Sequence, residues 1–429
     1  MRNMKAASLA ELYSQRKKQI IQDCNLCGIC VDVCPVIPLT TLSLMSVSDI
    51  QSKVMDVLKD GIVCEEASIR AASCIHCATC QDVCPQDINP VILQELLQLE
   101  LVKLGQKRHP LMEIKLGDRI LFLPDIVASM QIKPEEKRWL SHVPDKPQQK
   151  DVVVFTGCAL VMMPDKIFLV SDILERLGLD FVVVAGGELC CGARYLGMDL
   201  DKADAYGKTL LHALGAFKPQ QVLFCCAGCA YYVARLDKEI SPAHFQYEEL
   251  FHFLSRHINE LEFTQSVDKT VTLHDPCSFS KGLGDTTSLR TILKAIPDIK
   301  LIEMSKNKEQ SICCGLVARR KMPEVSQTMV RWSLEEAART SAEVMVDACQ
   351  GCHFQFLPEE SKYPFQVEHL LTLIGEAMGI NYEDKIKKFY RYGDADRIMA
   401  ESRENIEASS YDPNLTAYLA KYIFAKPTP

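Results

Sequence analysis

Apolar positions recur at helical spacing in the first hundred residues and as short β-branched runs beyond residue 150, so the architecture changes along the chain. Residues 6–22 set Leu9, Leu12, Tyr13 and Ile20 on one loose helical face. Residues 46–59 align Val47, Ile50, Val54, Val57 and Leu58, with Gly61 as a stop. Residues 90–104 form a third, strongly apolar helix. The segment 105–150 holds Pro110, Pro124, Pro134, Pro144 and Pro147; a helix is expected over 134–141 and a domain boundary at 144–147. From residue 151, strands at 152–156, 181–185 and 221–225 alternate with helices at 166–177 and 200–217. Strands at 270–274, 300–303 and 344–348, with helices at 288–296 and 323–340, repeat that order. Such alternation predicts two α/β units with small, largely parallel sheets. From residue 361 a charged, helical-looking tail carries Tyr390, Tyr392, Tyr411, Tyr418 and Tyr422, and is expected to pack across the repeats or against another subunit.

The repeat is also written in cysteine. A lone Cys158, a doublet Cys190-Cys191-Gly192 and a pair Cys226-Ala227-Gly228-Cys229 are followed by Cys277, Cys313-Cys314-Gly315 and Cys349-Gln350-Gly351-Cys352. In the first copy 31 residues separate the lone cysteine from the doublet and 34 the doublet from the pair; the second copy has 35 and 34. Cys158, Cys226, Cys277 and Cys349 each fall just after a predicted strand, and ligands gather at the carboxyl ends of strands in open α/β sheets.

Two further runs precede the repeat. Cys24, Cys27, Cys30 and Cys34-Pro35 follow the pattern Cys-x-x-Cys-x-x-Cys-x-x-x-Cys-Pro, and so do Cys74, Cys77, Cys80 and Cys84-Pro85. Three thiolates on one tight loop wrap three irons of a cubane, and in two-cluster ferredoxins the cysteine before proline reaches the other cluster. Cys24, Cys27, Cys30 and Cys84 are therefore expected to hold one [4Fe–4S] cluster, and Cys74, Cys77, Cys80 and Cys34 a second. A zinc ribbon or structural thiols are the alternatives, but zinc calls for two pairs of ligands, not two proline-terminated quartets.

Composition narrows the partners. A net charge of -8 argues against a nucleic-acid partner, which needs a basic surface. Twenty cysteines in 429 residues, at Cys-x-x-Cys spacings, indicate metal more than disulfides. No signal peptide or membrane-spanning run is read, so the chain is expected to be soluble by itself and cytoplasmic, with any membrane role at the inner face coming through a partner.

The 39 residues between the quartets, with their intervening helix, resemble the α-helical ferredoxin domain of respiratory iron–sulfur subunits. The two pentads are similar in motif and spacing to the cysteine-rich, or CCG, domains of the heterodisulfide reductase family. A helical ferredoxin domain followed by two CCG domains resembles the fused catalytic (D-type) subunit of the membrane-bound enzyme over roughly residues 20 to 355. The fold class so implied is α+β and multidomain: an α-helical ferredoxin domain at 1–110, a linker at 111–150, α/β CCG domains at 151–265 and 266–380, and a helical tail at 381–429. The resemblance implies that Cys158, Cys190, Cys191, Cys226 and Cys229, and Cys277, Cys313, Cys314, Cys349 and Cys352, each hold a non-cubane [4Fe–4S] cluster and form the catalytic centre, beside two cubanes.

Eighteen of the twenty cysteines are then ligands, leaving Cys64 and Cys225 as packed thiols. His274, in His-Asp-Pro-Cys, is expected to orient a strand end with its ring satisfied by backbone, the alternative being proton transfer or donation to cluster sulfur. His76 and His353 lie in ligand loops, where a hydrogen bond to sulfur would tune potential. Arg319, Arg320 and Lys321 balance cluster charge, bind an anionic substrate or form a solvated face. Many relatives carry a glycine-rich run after the second Cys-Cys-Gly; here Leu316-Val317-Ala318-Arg319-Arg320 stands there, which puts in doubt the family's methanogen substrate, the mixed disulfide of coenzymes M and B.

The expectation is thus an iron–sulfur oxidoreductase subunit that passes electrons through two cubanes to the CCG clusters for disulfide/thiol chemistry, in a larger anaerobic respiratory complex. Its partner would be an electron-donating flavoprotein, hydrogenase or b- or c-type cytochrome membrane subunit, and its substrate a small disulfide. The rival keeps the fold and makes the chain a pure relay of a flavin-linked 2-hydroxyacid or glycerol-3-phosphate dehydrogenase, or of a cytochrome-containing complex. No Gly-x-Gly-x-x-Gly follows a strand, so a bound flavin or nicotinamide is not expected.

Overall fold

The computed structural model describes residues 5–108, 112–116, 119–187 and 189–425. The amino-terminal third is helical: α1 (Leu9–Asp23), the single turn α2 (Ile29–Asp32), α3 (Val47–Asp60), α4 (Glu65–Ser73) and α5 (Pro90–Lys103). Local chemistry sets these boundaries. The Ser46 hydroxyl accepts from the Asp49 amide at the start of α3, and Gly61 ends it in the left-handed region at φ 68°. Asn89 caps α5 with Pro90 at its first position, and Cys24 and Cys74 are the residues on which α1 and α4 stop.

Between this layer and the repeats, β1 (Glu113–Leu116) and β2 (Arg119–Phe122) form an antiparallel hairpin leading into α6 (Leu123–Ser129). The helix expected over 134–141 is a single 3₁₀ turn, Pro134–Glu136. Beyond it the chain runs extended, and Leu140 exchanges backbone hydrogen bonds with Val183 and Ala185 along a strand edge. Proline and charge favour a short turn here, and the exposed edge takes up the extended segment.

The repeats follow as two four-stranded, all-parallel sheets. The first contains β3 (Val152–Phe155), α7 (Pro164–Arg176), β4 (Phe181–Val184), α8 (Leu200–Gly215), β5 (Gln221–Phe224), α9 (Ala227–Glu239), β6 (Gln246–Glu249) and α10 (Leu250–Arg256), in strand order β4-β3-β5-β6. The second contains β7 (Lys269–Leu273), α11 (Ser288–Ala295), β8 (Ile299–Leu301), α12 (Pro323–Ala338), β9 (Val344–Asp347), α13 (Gln350–Phe356), β10 (Gln366–His369) and α14 (Leu370–Ala377), in order β10-β9-β7-β8, the same topology read from the other edge. The fourth strands, β6 and β10, have no apolar run to announce them: each is a four-residue edge strand of largely polar sequence.

Each first strand is buried on both faces. Val152 and Val154 join a core with α7, α11, α14 and Val271 of the other sheet, so the two repeats share one hydrophobic interior. Val153 and Phe155 point the other way, into a core built with α8, α9 and the leucines of α5. On the second repeat the outward Met345 and Val367 are covered by the tail, α15 (Lys385–Tyr392), α16 (Ala395–Glu401), α17 (Arg403–Ala408) and α18 (Pro413–Phe424), through Phe389, Tyr390 and Phe424. The tail thus packs within the chain. Among the described residues no helix is long and apolar enough to cross a membrane.

Candidate functional site

The two quartet loops share an uncommon backbone. Leu26 and Gly28 in one, and His76 and Ala78 in the other, occupy matching positions with φ of 62°, 72°, 51° and 60°. A left-handed non-glycine residue costs roughly 1–2 kcal/mol. Three of them at matching places persist only where the surroundings demand them, and alternating backbone of this kind turns successive N–H groups inward as an anion cradle.

Each loop closes on a cavity that also takes the fourth cysteine from the other loop. Cys24, Cys27, Cys30 and Cys84 line one, and Cys74, Cys77, Cys80 and Cys34 line a second. Each cavity thus brings three cysteines of one loop together with the proline-flanked cysteine of the other. Among the described residues, no three histidine, cysteine or acidic side chains are set to hold a single metal ion.

Three polar side chains that the motif does not announce complete these sites. Gln51 of α3 donates to Cys24 Sγ at 3.6 Å and accepts from Cys30 Sγ at 3.5 Å. Gln94 of α5, fully buried against the second cavity, has neither amide atom hydrogen-bonded, as expected of a group waiting on inorganic sulfide or ligand sulfur. Arg70 of α4, 1% exposed, donates to Cys34 Sγ at 3.5 Å. Burial alone would depress the Arg70 pKa; Cys34, Cys74, Cys80 and Cys30 outweigh it, so one guanidinium serves both cavities. Its only sequence signal is its place one helical turn before Cys74.

Without metal the thiols raise one another. Burial pushes Cys30 to about 11, with Cys24, Cys84 and Cys27 adding to the shift, and Cys74 to about 12, with Cys34 and Cys77 adding. Thiolate ligation at neutral pH therefore needs a strong positive centre in each cavity, which iron supplies. The cavities, the orphaned Gln94 and the buried Arg70 fit iron–sulfur clusters.

The pentads sit at the carboxyl ends of the two sheets, after β3, β4 and β5 and after β7, β8 and β9. In both, the second cysteine of the doublet is a hub. Hydrogen bonds from Cys190 and then Cys229 hold Cys191 well below the usual thiol range, and Cys313 and Cys352 do the same to Cys314, lowering it to about 6. Cys277 and Cys313 lie 3.5 Å apart, sulfur to sulfur. Glycine after each doublet is required by its backbone, at φ 95° for Gly192 and 73° for Gly315, and a Cβ on Gly192 would lie 2.3 Å from the Ala203 carbonyl oxygen. Five thiols around one two-donor hub, repeated in a second domain, suit a multinuclear cluster better than one ion. The pentads are also close to each other: a Cβ on Gly228 would lie 3.7 Å from Cys226 Sγ and 3.8 Å from Ser278 Oγ, and Gln350 donates to the Cys225 carbonyl at 2.8 Å.

Arg194, two residues after Gly192, was not singled out by the motif. Its side chain is 8% exposed, paired to Glu113 at 3.0 Å and stacked near Phe122, Tyr195 and Tyr206. Among the described residues its Nε and Nη1 have no hydrogen-bond partner, and Cys190 and Cys158 are among the groups that raise its pKa against burial.

The histidines differ from expectation. His76 hydrogen-bonds Gln98 at 3.3 Å and His353 Nδ1 hydrogen-bonds Asp347 at 2.8 Å, with Asp384 3.5 Å from His353 Nε2 as an ion-pair neighbour, so these hydrogen bonds go to oxygen, not to sulfur. His274 is 2% exposed; its amide donates to the Val346 carbonyl at 2.8 Å, yet its Nε2 has no partner and burial lowers its pKa to about 4. Arg319, Arg320 and Lys321 are exposed, and Arg319 bonds the Tyr390 hydroxyl. Cys225 is buried, whereas Cys64 is half-buried at the start of α4.

Comparison with known proteins agrees with this layout. A cysteine-rich domain model matches residues 152–234 and 271–357, and a 4Fe-4S dicluster domain model matches residues 23–89. The chain is 28% identical over 349 residues to the D-type subunit of the dihydromethanophenazine:CoB–CoM heterodisulfide reductase of Methanosarcina barkeri, covering 74% of this chain and 80% of that one. With its counterpart from Methanosarcina acetivorans it shares 26% identity over 89% of this chain and 98% of that one. Lactate utilization protein A 1 of Bacillus mycoides is 23% identical over 52% of this chain and 96% of its own.

Proposed function

We propose, from the premise that this chain belongs to the heterodisulfide reductase D-type subunit family, that it is an iron–sulfur subunit whose ten pentad cysteines form a disulfide/thiol redox centre. The observation that carries the reading is the nearness of two hub-type pentads at facing sheet ends, because a disulfide has two sulfurs to engage. The assigned ligands are Cys24, Cys27, Cys30 and Cys84 for one cubane, Cys74, Cys77, Cys80 and Cys34 for the other, and one pentad for each of two non-cubane clusters.

When bound, the clusters supply single electrons, two of which with two protons convert one disulfide to two thiols. The chain's own residues do the rest. The left-handed loops aim backbone N–H groups at the quartet cavities, Arg70 offsets thiolate charge at both, and Gln51 and Gln94 offer amides to sulfur. Arg194 brings its Nε and Nη1, without partners among the described residues, into the neighbourhood of Cys158 and Cys190. Its partners, an electron-donating protein and a small disulfide, follow from the same reading, since the donor must lie outside this chain.

The test is direct. The protein, reduced through an artificial donor and offered small disulfides such as homodisulfides of thiol coenzymes, is expected to release two thiols per two electrons consumed. Electrons passing to an acceptor with no thiol release would favour a relay, the reading supported by the similarity to a lactate utilization protein.

A further inference from the structure

The second quartet and the second pentad meet directly. Cys77, Ile75 and Val36 share one apolar cluster with Cys313, Ala318, Val325 and Met329, against which Cys34 and Cys277 also pack. A π-helical turn, Ser278–Gly282, follows Cys277 and carries Lys281 toward the quartet loop. Lys281 Nζ donates to Thr79 Oγ1 at 3.0 Å and to the Ser311 carbonyl at 2.8 Å. Thr79 Oγ1 in turn lies 3.2 Å from Cys77 Sγ, a thiol standing here for the metal-bound thiolate that the hydroxyl would donate to. Ser311 is two residues before Cys313. One ammonium therefore joins a ligand loop of each site, and among the described residues both its hydrogen bonds run to neutral oxygens, with no bonded carboxylate to cancel its charge.

The first pentad has a different contact with the same loop. Tyr231 of α9 donates to Gln81 at 2.5 Å, a neutral contact. The residue four places after Cys158, where Lys281 stands after Cys277, is Met162, which is 4% exposed and packed against the tail-side core.

We propose that Lys281 is a positioning residue that clamps the Cys74–Cys80 loop onto the second pentad and fixes a positive charge between Cys77 and Cys277, favouring electron acceptance on that side of the molecule. This rests on the reading that quartets and pentads hold clusters. Added electron density on a cluster is stabilised by a nearby uncancelled cation, most where water is excluded.

The experiment is an EPR-monitored redox titration of the anaerobically purified full chain. Lys281→Met should shift the midpoint potentials of the second quartet and second pentad negative, leaving those of the first quartet and first pentad unchanged. Lys281→Arg should restore both, and Thr79→Val should move the second quartet alone. Unchanged potentials in Lys281→Met, or the same shift in Lys281→Arg, would overturn the assignment. If the neutral variant fails to load iron, full loading of Lys281→Arg supports the charge and failure of both contradicts it. An iron content near eight per chain in the unaltered protein would remove the cluster reading of the pentads instead, and the second-quartet potential would still test Lys281.

Discussion

The two CCG domains repeat one another in topology and thiol geometry and differ in what surrounds the thiols. In both, the second doublet cysteine accepts two hydrogen bonds, from its neighbour and from the last cysteine of the set. Both outer sheet faces are covered, the first by ferredoxin-domain helices and the second by the carboxyl-terminal helices. The cations are exchanged. The first domain places Arg194 two residues after its doublet glycine, where the second has Val317, and the second places Lys281 four residues after its lone cysteine, where the first has Met162. The strand ends differ too: Phe224 and Ala230 of the first domain stand where the second has Asp347 and His353. What repeats is what metal ligation requires, and what varies is the electrostatics that would make two similar clusters unequal.

The largest expected effect breaks the pair apart. Cys314→Ala should remove about four irons per chain and the second pentad's spectroscopic signature while the first keeps its own, and Cys191→Ala should do the converse. Loss of both signatures from either variant would mean that the pentads form a single site.

Next comes the glycine after each doublet. At Gly192 a Cβ would meet the Ala203 carbonyl at 2.3 Å in a backbone of φ 95°; at Gly315 the nearest atoms, in Met329 and Ser326, are 3.2 Å away at φ 73°. Gly192→Ala should therefore cost about 3 kcal/mol or more, as overpacking adds to strain, and Gly315→Ala about 1–2 kcal/mol. Denaturant midpoints compare them, and equal losses would contradict the stated clash.

The smallest effect is a pH dependence that belongs to the second domain alone. Burial would depress the His353 pKa, but Asp347 and Asp384 outweigh it and raise it to about 9. A folded pKa above the unfolded value gives stability that is complete below about pH 6.5 and is lost as pH rises through the folded pKa. Thermal midpoints should fall between pH 6.5 and 9, and His353→Gln should flatten that slope.

Much of this arrangement was legible in the chain. The quartets announced both their cavities and the exchange of Cys34 and Cys84, because ligand spacing is a local property of one loop. The β-branched runs gave the first three strands of each sheet. The polar edge strands β6 and β10 stayed hidden, since a strand that contributes backbone more than apolar side chains leaves no period to read. Arg70, Gln94, Arg194 and Lys281 were hidden for another reason. A charge or amide acquires its role from a partner tens or hundreds of residues away, as Lys281 does from Thr79, and composition does not encode that meeting. His76 and His353 show the converse error: adjacency to a ligand in sequence did not fix where either ring turns.

Whether four cysteine sets hold four clusters is tested most sharply by iron and acid-labile sulfide quantified on anaerobically purified chain. About sixteen irons per chain are expected, with cubane and non-cubane signals both present. A value near eight, with cubane signals alone, would leave the pentads as thiols and contradict the four-cluster reading.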